Sequence, residues 1–472
     1  MTTELLSPAG TRKSMNYAFA YGADAVYAGQ PRYSLRVRNN EFNKIERLQA
    51  AITEAHTLGK KFYLASNLSP HNDKVRTYIR DLEPVIAMKP DALIMADPGL
   101  IMLVREKWPD QEIHLSVQAN AVNYATVRFW ANNGIKRVIL SRELSIDEIA
   151  EIRQQCPDVE LEVFVHGALC IAYSGRCLLS GYMTHRDPNQ GACTNSCRWE
   201  YNVHEAKENE TGDIIATSSS VQQAVVESTA VNNAMFKNAA EQWQPESNES
   251  NIIVDHPVLL QERSRPGEYM PAYEDEHGTY IMNSKDLRAV QHVQRLVEMG
   301  IESLKIEGRT KSHYYAAKTA QIYRIAIDAA ERGEKFDKDW MVQLDHLANR
   351  GYTEGFYRRH VPSEYQNYNE GNSSNSKQQF VGEVLELNSF NQNCFIDVKN
   401  RFEVGDQLEL LTPSGNVAFT VKNLINKHSE QIDCAPGSGH IVQIPITDID
   451  PNKQLSENDI KYALLMRHIP TS

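Results

Sequence analysis

Short apolar runs alternate with amphipathic stretches through the first half of the chain. Each run is rich in β-forming residues and ends in small or polar residues, and apolar positions at helical spacing follow it. Eight runs have this form: Glu4–Pro8, Ala25–Gly29, Phe62–Asn67, Ala92–Asp97, Ile113–Asn120, Arg137–Arg142, Leu161–His166 and Glu302–Glu307. This rhythm is typical of a parallel sheet. Eight strands predict an α/β fold, namely a (β/α)8 TIM-like barrel.

The stretches between the runs predict the barrel helices. They include Asn43–Leu58, Val75–Met88 and Ser145–Gln155, and the last begins with a capping-box pattern of Ser145 and Glu148. A ninth strand-like run, Thr279–Asn283, lies outside the eight, and we expect it to pair with Glu200–His204 in a small hairpin. A doubly wound open sheet is the alternative, but the chain has neither G-x-G-x-x-G nor a P-loop.

Changes in composition predict the domain boundaries. We assign residues 1–204 and 266–335 to the barrel, including a cysteine-rich segment at 166–200. Residues 205–265 are rich in Ser, Asn, Gln and Glu and predict a polar insertion or mobile loop. Residues 336–379 predict a helix and a linker, and residues 380–472 predict a small antiparallel β-barrel domain. Its predicted strands are Phe380–Leu387, Cys394–Val398, Gln407–Leu411, Val417–Val421 and Ile441–Ile444.

Charge and hydropathy restrict the class of protein. The chain has 472 residues and a net charge of −12, which argues against nonspecific coating of nucleic acid but allows a local basic patch. No apolar run reaches the ~18–20 residues of a membrane span. The first residues lack the basic and apolar regions of a signal peptide. We therefore expect a cytoplasmic protein with no membrane partner.

Four of the seven cysteines lie close together. Cys170, Cys177, Cys193 and Cys197 follow the pattern C-x6-C-x15-C-x3-C, whereas Cys156, Cys394 and Cys434 are isolated. Disulfides are not expected in a reducing compartment. Structural zinc sites usually use two C-x2–4-C pairs, whereas irregularly spaced thiolates suit an iron–sulfur cluster; zinc and unrelated thiols remain alternatives. The first of these cysteines follows a predicted barrel strand closely, which favours a functional metal site.

The ends of the predicted strands supply the other candidate residues, because the C-terminal strand ends carry the chemistry of (β/α)8 enzymes. They are Ser7, Tyr27, Asn67, Asp97, Gln118, Asn120, Arg142, His166, Lys305, Glu307 and Arg309. We assign catalytic roles to His166, Lys305 and Glu307. Lys305 and Glu307 share a strand face, which indicates a substrate pocket or, alternatively, a buried ion pair. A satisfied core histidine is the alternative for His166.

The remaining strand-end candidates are assigned to substrate binding. They are Arg142, Arg309, Asn67, Gln118 and Asn120. The basic stretch Arg32, Arg36 and Arg38 surrounds Tyr33 and could bind phosphate or carboxylate, with the tyrosine ring available for stacking. A solvated edge strand would have the same pattern.

The segment Glu162–Ser180, EVFVHGALCIAYSGRCLLS, resembles the signature of the collagenase-like peptidase family, E-x-F-x2-G-A-L-C-x4-G-x-C-x-L-S. The segments ELLSPAG, GADAVYAG, MNSKDL and KIEGRTKS resemble that family too, and the resemblance covers essentially the whole chain. Within the family, the chain is most similar to the members that hydroxylate tRNA. The segments that carry this similarity are AFAYGADAVYAGQPRYSLRVRNNEFN, DPGLIMLVRE, IHLSVQANAVN and GRCLLSGY.

This resemblance implies a specific function. Such members carry out prephenate-dependent, oxygen-independent hydroxylation of uridine C5 at wobble position 34 of tRNA, giving 5-hydroxyuridine. It implies a 4Fe–4S cluster on Cys170, Cys177, Cys193 and Cys197, prephenate as co-substrate and tRNA as partner, with possible RNA docking by the C-terminal β domain. Hydroxylation of ribosomal RNA cytidine, a collagenase-type peptidase and a binding or scaffold protein are the alternatives. The sequence has neither H-E-x-x-H nor G-x-S-x-G, which disfavours the peptidase.

Overall fold

The computed structural model describes residues 2–34, 41–168, 201–208, 214–216, 258–262, 270–275, 278–281, 286–347, 351–358, 378–388, 392–451 and 455–469. Contacts divide the chain into two compact units. The first contains Met1–Ala168, Asp286–Val361 and Asn375–Ser472, and the second contains Leu169–Lys285 and Pro362–Ser374.

Strands and helices alternate along the first part of the chain. The strands are β1 (Glu4–Pro8), β2 (Ala25–Gly29), β3 (Lys61–Ser66), β4 (Ala92–Met95), β5 (Ile113–Leu115), β6 (Arg137–Ile139) and β7 (Glu160–Ala168). The helices are α1 (Arg12–Ala20), α2 (Ile45–Thr57), α3 (Asn72–Ala87), α4 (Pro98–Lys107), α5 (Tyr124–Asn132) and α6 (Ile146–Gln155). Each strand pairs in parallel with the next, so β1 to β7 form one sheet.

Side-chain caps fix the starts of several of these helices. The predicted capping box is present, because Ser145 accepts from the Glu148 N–H and the Glu148 carboxylate accepts from the Ser145 N–H. Asp97, a strand-end candidate, accepts from the backbone N–H of Leu100 at 2.9 Å and so caps α4. Such a cap contributes about 1 kcal/mol. The structure therefore gives Asp97 a local structural role.

The second unit contains an antiparallel sheet. Its strands are β8 (Tyr201–Glu208), β9 (Ile214–Ala216), β10 (Val258–Glu262), β11 (Met270–Asp275) and β12 (Gly278–Ile281), in the order β12-β11-β10-β8-β9. The expected pairing of Thr279–Asn283 with Glu200–His204 is wrong, because β12 pairs with β11 instead. These two strands are close in sequence, so a short hairpin brings them together at a low entropic cost. Parts of the predicted polar insertion therefore form strands of this sheet, and the rest of it lies outside the described residues.

An eighth strand closes the barrel. The chain continues with β13 (Asp286–Arg288), α7 (Val293–Glu298), β14 (Ser303–Ile306), α8 (His313–Glu331), α9 (Asp339–Asp345) and β15 (Tyr352–Thr353). Strand β14 pairs in parallel with both β1 and β7, whereas β13 runs antiparallel to the end of β7. The eight barrel strands are the eight that the sequence predicts, and the predicted (β/α)8 fold is confirmed.

The C-terminal residues form an antiparallel β domain, as predicted. Its elements are β16 (Gln378–Asn388), β17 (Asn393–Val398), β18 (Phe402–Glu403), β19 (Gln407–Thr412), β20 (Gly415–Thr420), β21 (Leu424–Asn426), β22 (Gln431–Ile432), β23 (Cys434–Ala435), β24 (Ile441–Pro445), α10 (Ile446–Ile449), α11 (Glu457–Lys461) and β25 (Leu464–His468). Eight strands form one sheet in the order β20-β19-β25-β16-β17-β24-β21-β22, and β18 pairs with β23. Buried aliphatic side chains, among them Val381, Ile396 and Leu465, form its core.

Polar contacts join this domain to the barrel. The Tyr21 hydroxyl on α1 donates to the carbonyl of Leu411 at 2.8 Å. Glu383 on β16 lies 2.6 Å from Lys13 Nζ and 2.8 Å from His313 Nε2. Burial by itself would raise the pKa of Glu383, but His313 and Lys13 outweigh it and lower the pKa. The barrel and the β domain therefore share an interface that a buried carboxylate helps to hold.

Among the described helices, none is both long enough and apolar enough to cross a membrane.

Candidate active site

A lysine and a glutamate form an ion pair inside the barrel. Lys305 on β14 and Glu162 on β7 are 3% and 0% exposed, and Lys305 Nζ donates to Glu162 Oε1 at 2.7 Å. Lys305 is in register with Phe164, so alternate residues of the two strands face the same interior. Burial lowers the pKa of Lys305, and Glu162 opposes that shift. Glu162 thus favours the ammonium form of Lys305 at a place where burial disfavours it.

Further ion pairs connect this glutamate with the N-terminal end of the barrel. Arg137 Nη1 lies 3.4 Å from Glu162 and 2.5 Å from Glu4, and Arg137 Nη2 lies 2.8 Å from Glu160. Tyr63 OH donates to Glu4 at 2.6 Å. Burial alone would raise the pKa of Glu4, but Arg137 and its hydrogen bond lower it overall. These three carboxylates converge on one arginine, as buried charges require.

Glu307, predicted to share a face with Lys305, comes directly after β14. It is buried, its N–H donates to the His166 carbonyl at 2.8 Å, and its carbonyl accepts from Tyr315 OH at 2.7 Å. Gly167 makes this approach possible: its φ is +105°, and a Cβ there would lie 2.5 Å from the Glu307 carbonyl oxygen. The ends of β7 and β14 are therefore held together by backbone contacts, and the ion-pair partner of Lys305 is Glu162.

Arg309 lies at the end of β14 next to the end of β2. Its Nη1 donates to Ser34 Oγ at 3.0 Å, and its guanidinium lies 5.7 Å from the centre of the Tyr27 ring. Gly29 lies between the two strand ends. A Cβ at Gly29 would be 2.8 Å from Ser34 Oγ and 3.0 Å from Arg309 Nη1, so a glycine is needed for this contact. The Tyr27 ring also lies 4.3 Å from Lys305 Nζ, which brings Arg309 and Lys305 to the same ring.

Arg142 lies in the loop that follows β6. Its guanidinium carbon is 3.9 Å from the centre of the Phe164 ring, and its Nη1 donates to the Ala168 carbonyl at 3.0 Å. The Phe164 ring also lies 5.5 Å from Lys305 Nζ. Three predicted cationic residues are therefore collected around two aromatic rings, those of Tyr27 and Phe164.

The predicted amide side chains lie at the ends of β3 and β5. Asn67 Nδ2 donates to Ser116 Oγ at 3.4 Å, and Asn120 Nδ2 donates to the Gln118 carbonyl at 3.3 Å. Asn120 has a left-handed backbone, with φ of 51°, which asparagine tolerates better than most residues. The Asn67 Oδ1 atom is buried and has no hydrogen-bond partner in the part of the chain that the structure describes. Such a buried oxygen atom could accept a hydrogen bond from a donor group of a bound ligand.

His166 lies outside this group. Its ring is buried among Tyr315, Tyr323 and Tyr352 of α8 and β15, and its Nδ1 lies 3.3 Å from Tyr323 OH. Burial lowers the pKa of His166 to about 3. Tyr323 OH in turn donates to the Val165 carbonyl at 2.6 Å, so this cluster fixes the outer side of β7. The structure thus favours the alternative of a satisfied core histidine, because the register shift opposite Lys305 and Ile306 turns His166 away from the side of β7 that faces Lys305. A catalytic role for His166 stays a prediction.

Arg32 is the part of the predicted basic stretch that the structure describes. Its Nη1 lies 2.8 Å from Asp81, which also accepts from Tyr33 OH at 2.8 Å. The Arg32 side chain is 61% exposed despite this ion pair. Arg36 and Arg38 lie outside the described residues.

The predicted cluster ligands also lie outside the described residues. They are Cys170, Cys177, Cys193 and Cys197. Among the described residues, no group of three or more His, Cys, Asp or Glu side chains is arranged to hold a metal ion.

Sequence reasoning missed Glu162, Phe164 and Ser34 as members of the site. A signal for Glu162 exists, because a charged residue in the apolar run of a fully buried parallel strand needs a buried partner. Ser34 carries no such signal, since a serine in a loop is ordinary.

A parallel eight-stranded barrel with cations, amides and aromatic rings at its C-terminal strand ends is the arrangement of a (β/α)8-barrel enzyme. The cationic groups around Lys305 suit an anionic small molecule. The fold and the site therefore define a barrel enzyme with an appended antiparallel β domain.

The chain belongs to Peptidase family U32. Residues 10–367 match that family, and residues 376–467 match the Peptidase family U32 C-terminal domain. The first range contains the barrel strands from β2 onward and the strands β8 to β12, and the second range contains the β domain.

Curated relatives extend the comparison. The chain is 58% identical over 465 residues to "tRNA hydroxylation protein P" of Escherichia coli, covering 98% of this chain and 96% of the relative. It is 57% identical over 466 residues to the protein of the same name from Haemophilus influenzae, covering 99% and 96%. It is 27% identical over 372 residues to the "23S rRNA 5-hydroxycytidine C2501 synthase" of Escherichia coli, covering 78% of this chain and 44% of the relative.

Proposed function

We propose that this protein is a cytoplasmic tRNA-modifying enzyme that hydroxylates C5 of uridine at the wobble position, giving 5-hydroxyuridine, in a prephenate-dependent reaction that does not use molecular oxygen. The observation that carries this proposal is the 58% identity to "tRNA hydroxylation protein P" over 98% of this chain. Because 96% of the relative is covered as well, both proteins share the barrel and the β domain.

The cationic side of the barrel mouth supports prephenate as co-substrate. Prephenate carries two carboxylates, and the mouth offers the ammonium of Lys305 and the guanidinium groups of Arg309 and Arg142. Arginine binds carboxylates through two parallel hydrogen bonds, and a buried site strengthens each of them. The faces of the Tyr27 and Phe164 rings lie against these cations and favour their positive charge. Glu307 stays a candidate acid or base beside them.

The amide side of the mouth supports recognition of a uracil edge. Uracil presents a donor at N3 between acceptors at O2 and O4. The orphaned Asn67 Oδ1 would accept from N3–H, and the amide groups of Gln118 and Asn120 would reach the carbonyl oxygens. A wobble base is unpaired in free tRNA, so it can enter such a pocket with little loss of pairing energy.

Binding of tRNA also needs contacts to phosphate. Because the net charge of the chain is −12, these contacts must come from a local cluster of basic side chains. Arg32 with Arg36 and Arg38 forms a candidate phosphate-binding segment, and the C-terminal β domain is a candidate docking surface. The shared interface of the two parts would hold that domain in a fixed place beside the barrel.

The four clustered cysteines are the proposed ligands of a 4Fe–4S cluster. Four thiols are the donor set that such a cluster takes. A bound cluster would supply one-electron chemistry to the reaction.

Nucleoside mass spectrometry of tRNA tests the proposal. Deletion of the gene should remove 5-hydroxyuridine, and the wild-type protein should restore it only in cells that make prephenate. The Cys170→Ser variant should not restore it, whereas the matched Cys156→Ser variant, which changes an isolated buried thiol, should. An unchanged 5-hydroxyuridine level in the deletion strain, with no second hydroxylase present, would refute the function. Restoration by Cys170→Ser would refute the role of the cluster.

Two other functions are tested in the same material. The ribosomal RNA relative makes cytidine hydroxylation the second candidate, and loss of 5-hydroxycytidine from rRNA in the deletion strain would support it. The name of the family makes a peptidase the third candidate. A peptidase should cleave casein without iron. A protein purified without oxygen that modifies tRNA and leaves casein intact would exclude the peptidase.

A further inference from the structure

Lys305 is surrounded by groups that act on its charge in opposite directions. Burial is the main cause that lowers its pKa, Glu162 opposes this shift, and Arg309 after β14 and Arg137 on β6 lower the pKa further. Tyr27 and Phe164 present ring faces at 4.3 and 5.5 Å from the nitrogen. Among the described residues, Glu162 is the carboxylate that hydrogen-bonds to this ammonium.

Glu162 is itself held in place by an arginine that lies toward the N-terminal end of the barrel. Its second oxygen lies 3.4 Å from Arg137, which is bound on its other sides by Glu4 and Glu160. The charges therefore alternate from the N-terminal end of the barrel to Lys305. Only the last of them, Lys305, lies beside the strand-end cation Arg309 and the Tyr27 ring.

An ammonium uses one hydrogen for Glu162 and has two more to donate. A charged group of this kind, desolvated and directed by a fixed partner, binds an anion more strongly than a solvated lysine does, because the surrounding dielectric constant is low. It does so only while it holds its proton.

We propose that Glu162 is a positioning residue that keeps Lys305 as an ammonium and orients it, so that Lys305 binds a carboxylate of the co-substrate. The identity of that carboxylate, prephenate, rests on the proposed function; the coupling between Glu162 and Lys305 does not. A purely structural ion pair is the other reading, and it predicts a different dependence on pH.

Binding of prephenate to the full-length protein, purified without oxygen, tests the proposal by calorimetry between pH 6 and 9. Removing the negative charge in Glu162→Gln makes Lys305 lose its proton at a lower pH. The variant should bind prephenate nearly as well as wild type at pH 6 and about tenfold more weakly at pH 8.5, which corresponds to about 1.4 kcal/mol. Glu162→Asp, which keeps the charge, should retain most of the binding at pH 8.5.

Two controls separate the coupling from stability. Glu160→Gln removes a carboxylate that touches Arg137 but not Lys305, and its binding curve should follow wild type. Lys305→Met should bind weakly at every pH. The proposal is wrong if Glu162→Gln binds prephenate as tightly as wild type at every pH, or more weakly by the same factor at every pH.

A second readout does not depend on the ligand. Competitive labelling with acetic anhydride, followed by mass spectrometry of the Lys305 peptide, reports the fraction of neutral amine at each pH. Labelling of Lys305 should rise at a lower pH in Glu162→Gln than in wild type or in Glu160→Gln. If labelling shifts in this way but prephenate binds no variant, the co-substrate assignment fails while the coupling stands; if the labelling does not shift, the coupling is wrong.

Discussion

The two ends of the barrel use charge differently. At the N-terminal end, the carboxylates of Glu4 and Glu160 are bound by Arg137, and the pKa of Glu4 is lowered despite burial. At the C-terminal end, Arg309 and Arg142 lie over aromatic rings and donate to a hydroxyl and a carbonyl oxygen. Lys305 and Glu162 lie between the two arrangements. The comparison shows that the same interior pairs an arginine with carboxylates at one end and places cations against aromatic rings at the other.

The largest effect is expected from breaking the N-terminal arrangement. Arg137→Met leaves Glu4 and Glu162 without their shared cation, and removal of one partner of a buried ion pair costs about 3–5 kcal/mol. Urea denaturation should show this loss in the free energy of unfolding. Lys107→Met, which removes a solvent-exposed partner of Glu83, is the control and should change stability little. Equal stabilities of the two variants would contradict the assigned role of Arg137.

A glycine at each end allows a matched test of close packing. Gly167→Ala combines a φ of +105° with a Cβ 2.5 Å from the Glu307 carbonyl, so it should destabilise by about 3 kcal/mol. Gly59→Ala, near the start of β3, has a φ of +66° but open space around its Cβ, and it should cost only about 1 kcal/mol. Thermal unfolding of both variants measures the difference. Similar values would show that the ends of β7 and β14 separate without penalty.

The pH dependence of stability tests the structural role of His166. Its folded pKa of about 3 lies below the ordinary unfolded value near 6.5, so its contribution is complete above pH 6.5 and is lost as the pH falls toward 3. Relative to His166→Gln, wild type should lose about 2 kcal/mol between pH 6.5 and 5. Denaturation at both pH values measures this. A catalytic role would instead require that the variant lose tRNA modification while its stability stays unchanged at both pH values.

The smallest effect is expected from the barrel mouth itself. Gly29→Ala places a Cβ against Ser34 and Arg309, which should move the guanidinium and raise the KM for prephenate about tenfold, with little loss of stability. Initial rates at varied prephenate and fixed tRNA separate KM from kcat. A fall in kcat at unchanged KM would place Arg309 outside the carboxylate site.

Much of the fold was predictable from the pattern of the chain. All eight barrel strands were found because each is a short, mostly apolar run that is followed by a segment with helical periodicity. The pairing of β12 with β11 was missed because strand-like runs show that a strand exists but not which edge it joins. The cationic residues Lys305, Arg309 and Arg142 were candidates from the sequence, and the structure collects them around Tyr27 and Phe164. Their roles in catalysis and substrate binding stay predictions.

What the sequence by itself determined is the order of strands and helices, since local periodicity specifies each element; the exact ends of β3, β5 and β6 differ from the predicted ones. Only the tertiary structure decided which strand-end side chains face the interior. A register shift between β7 and β14 turns His166 toward α8 while Lys305 points inward to Glu162. These two outcomes depend on contacts between residues more than a hundred positions apart in the chain, which no local pattern contains.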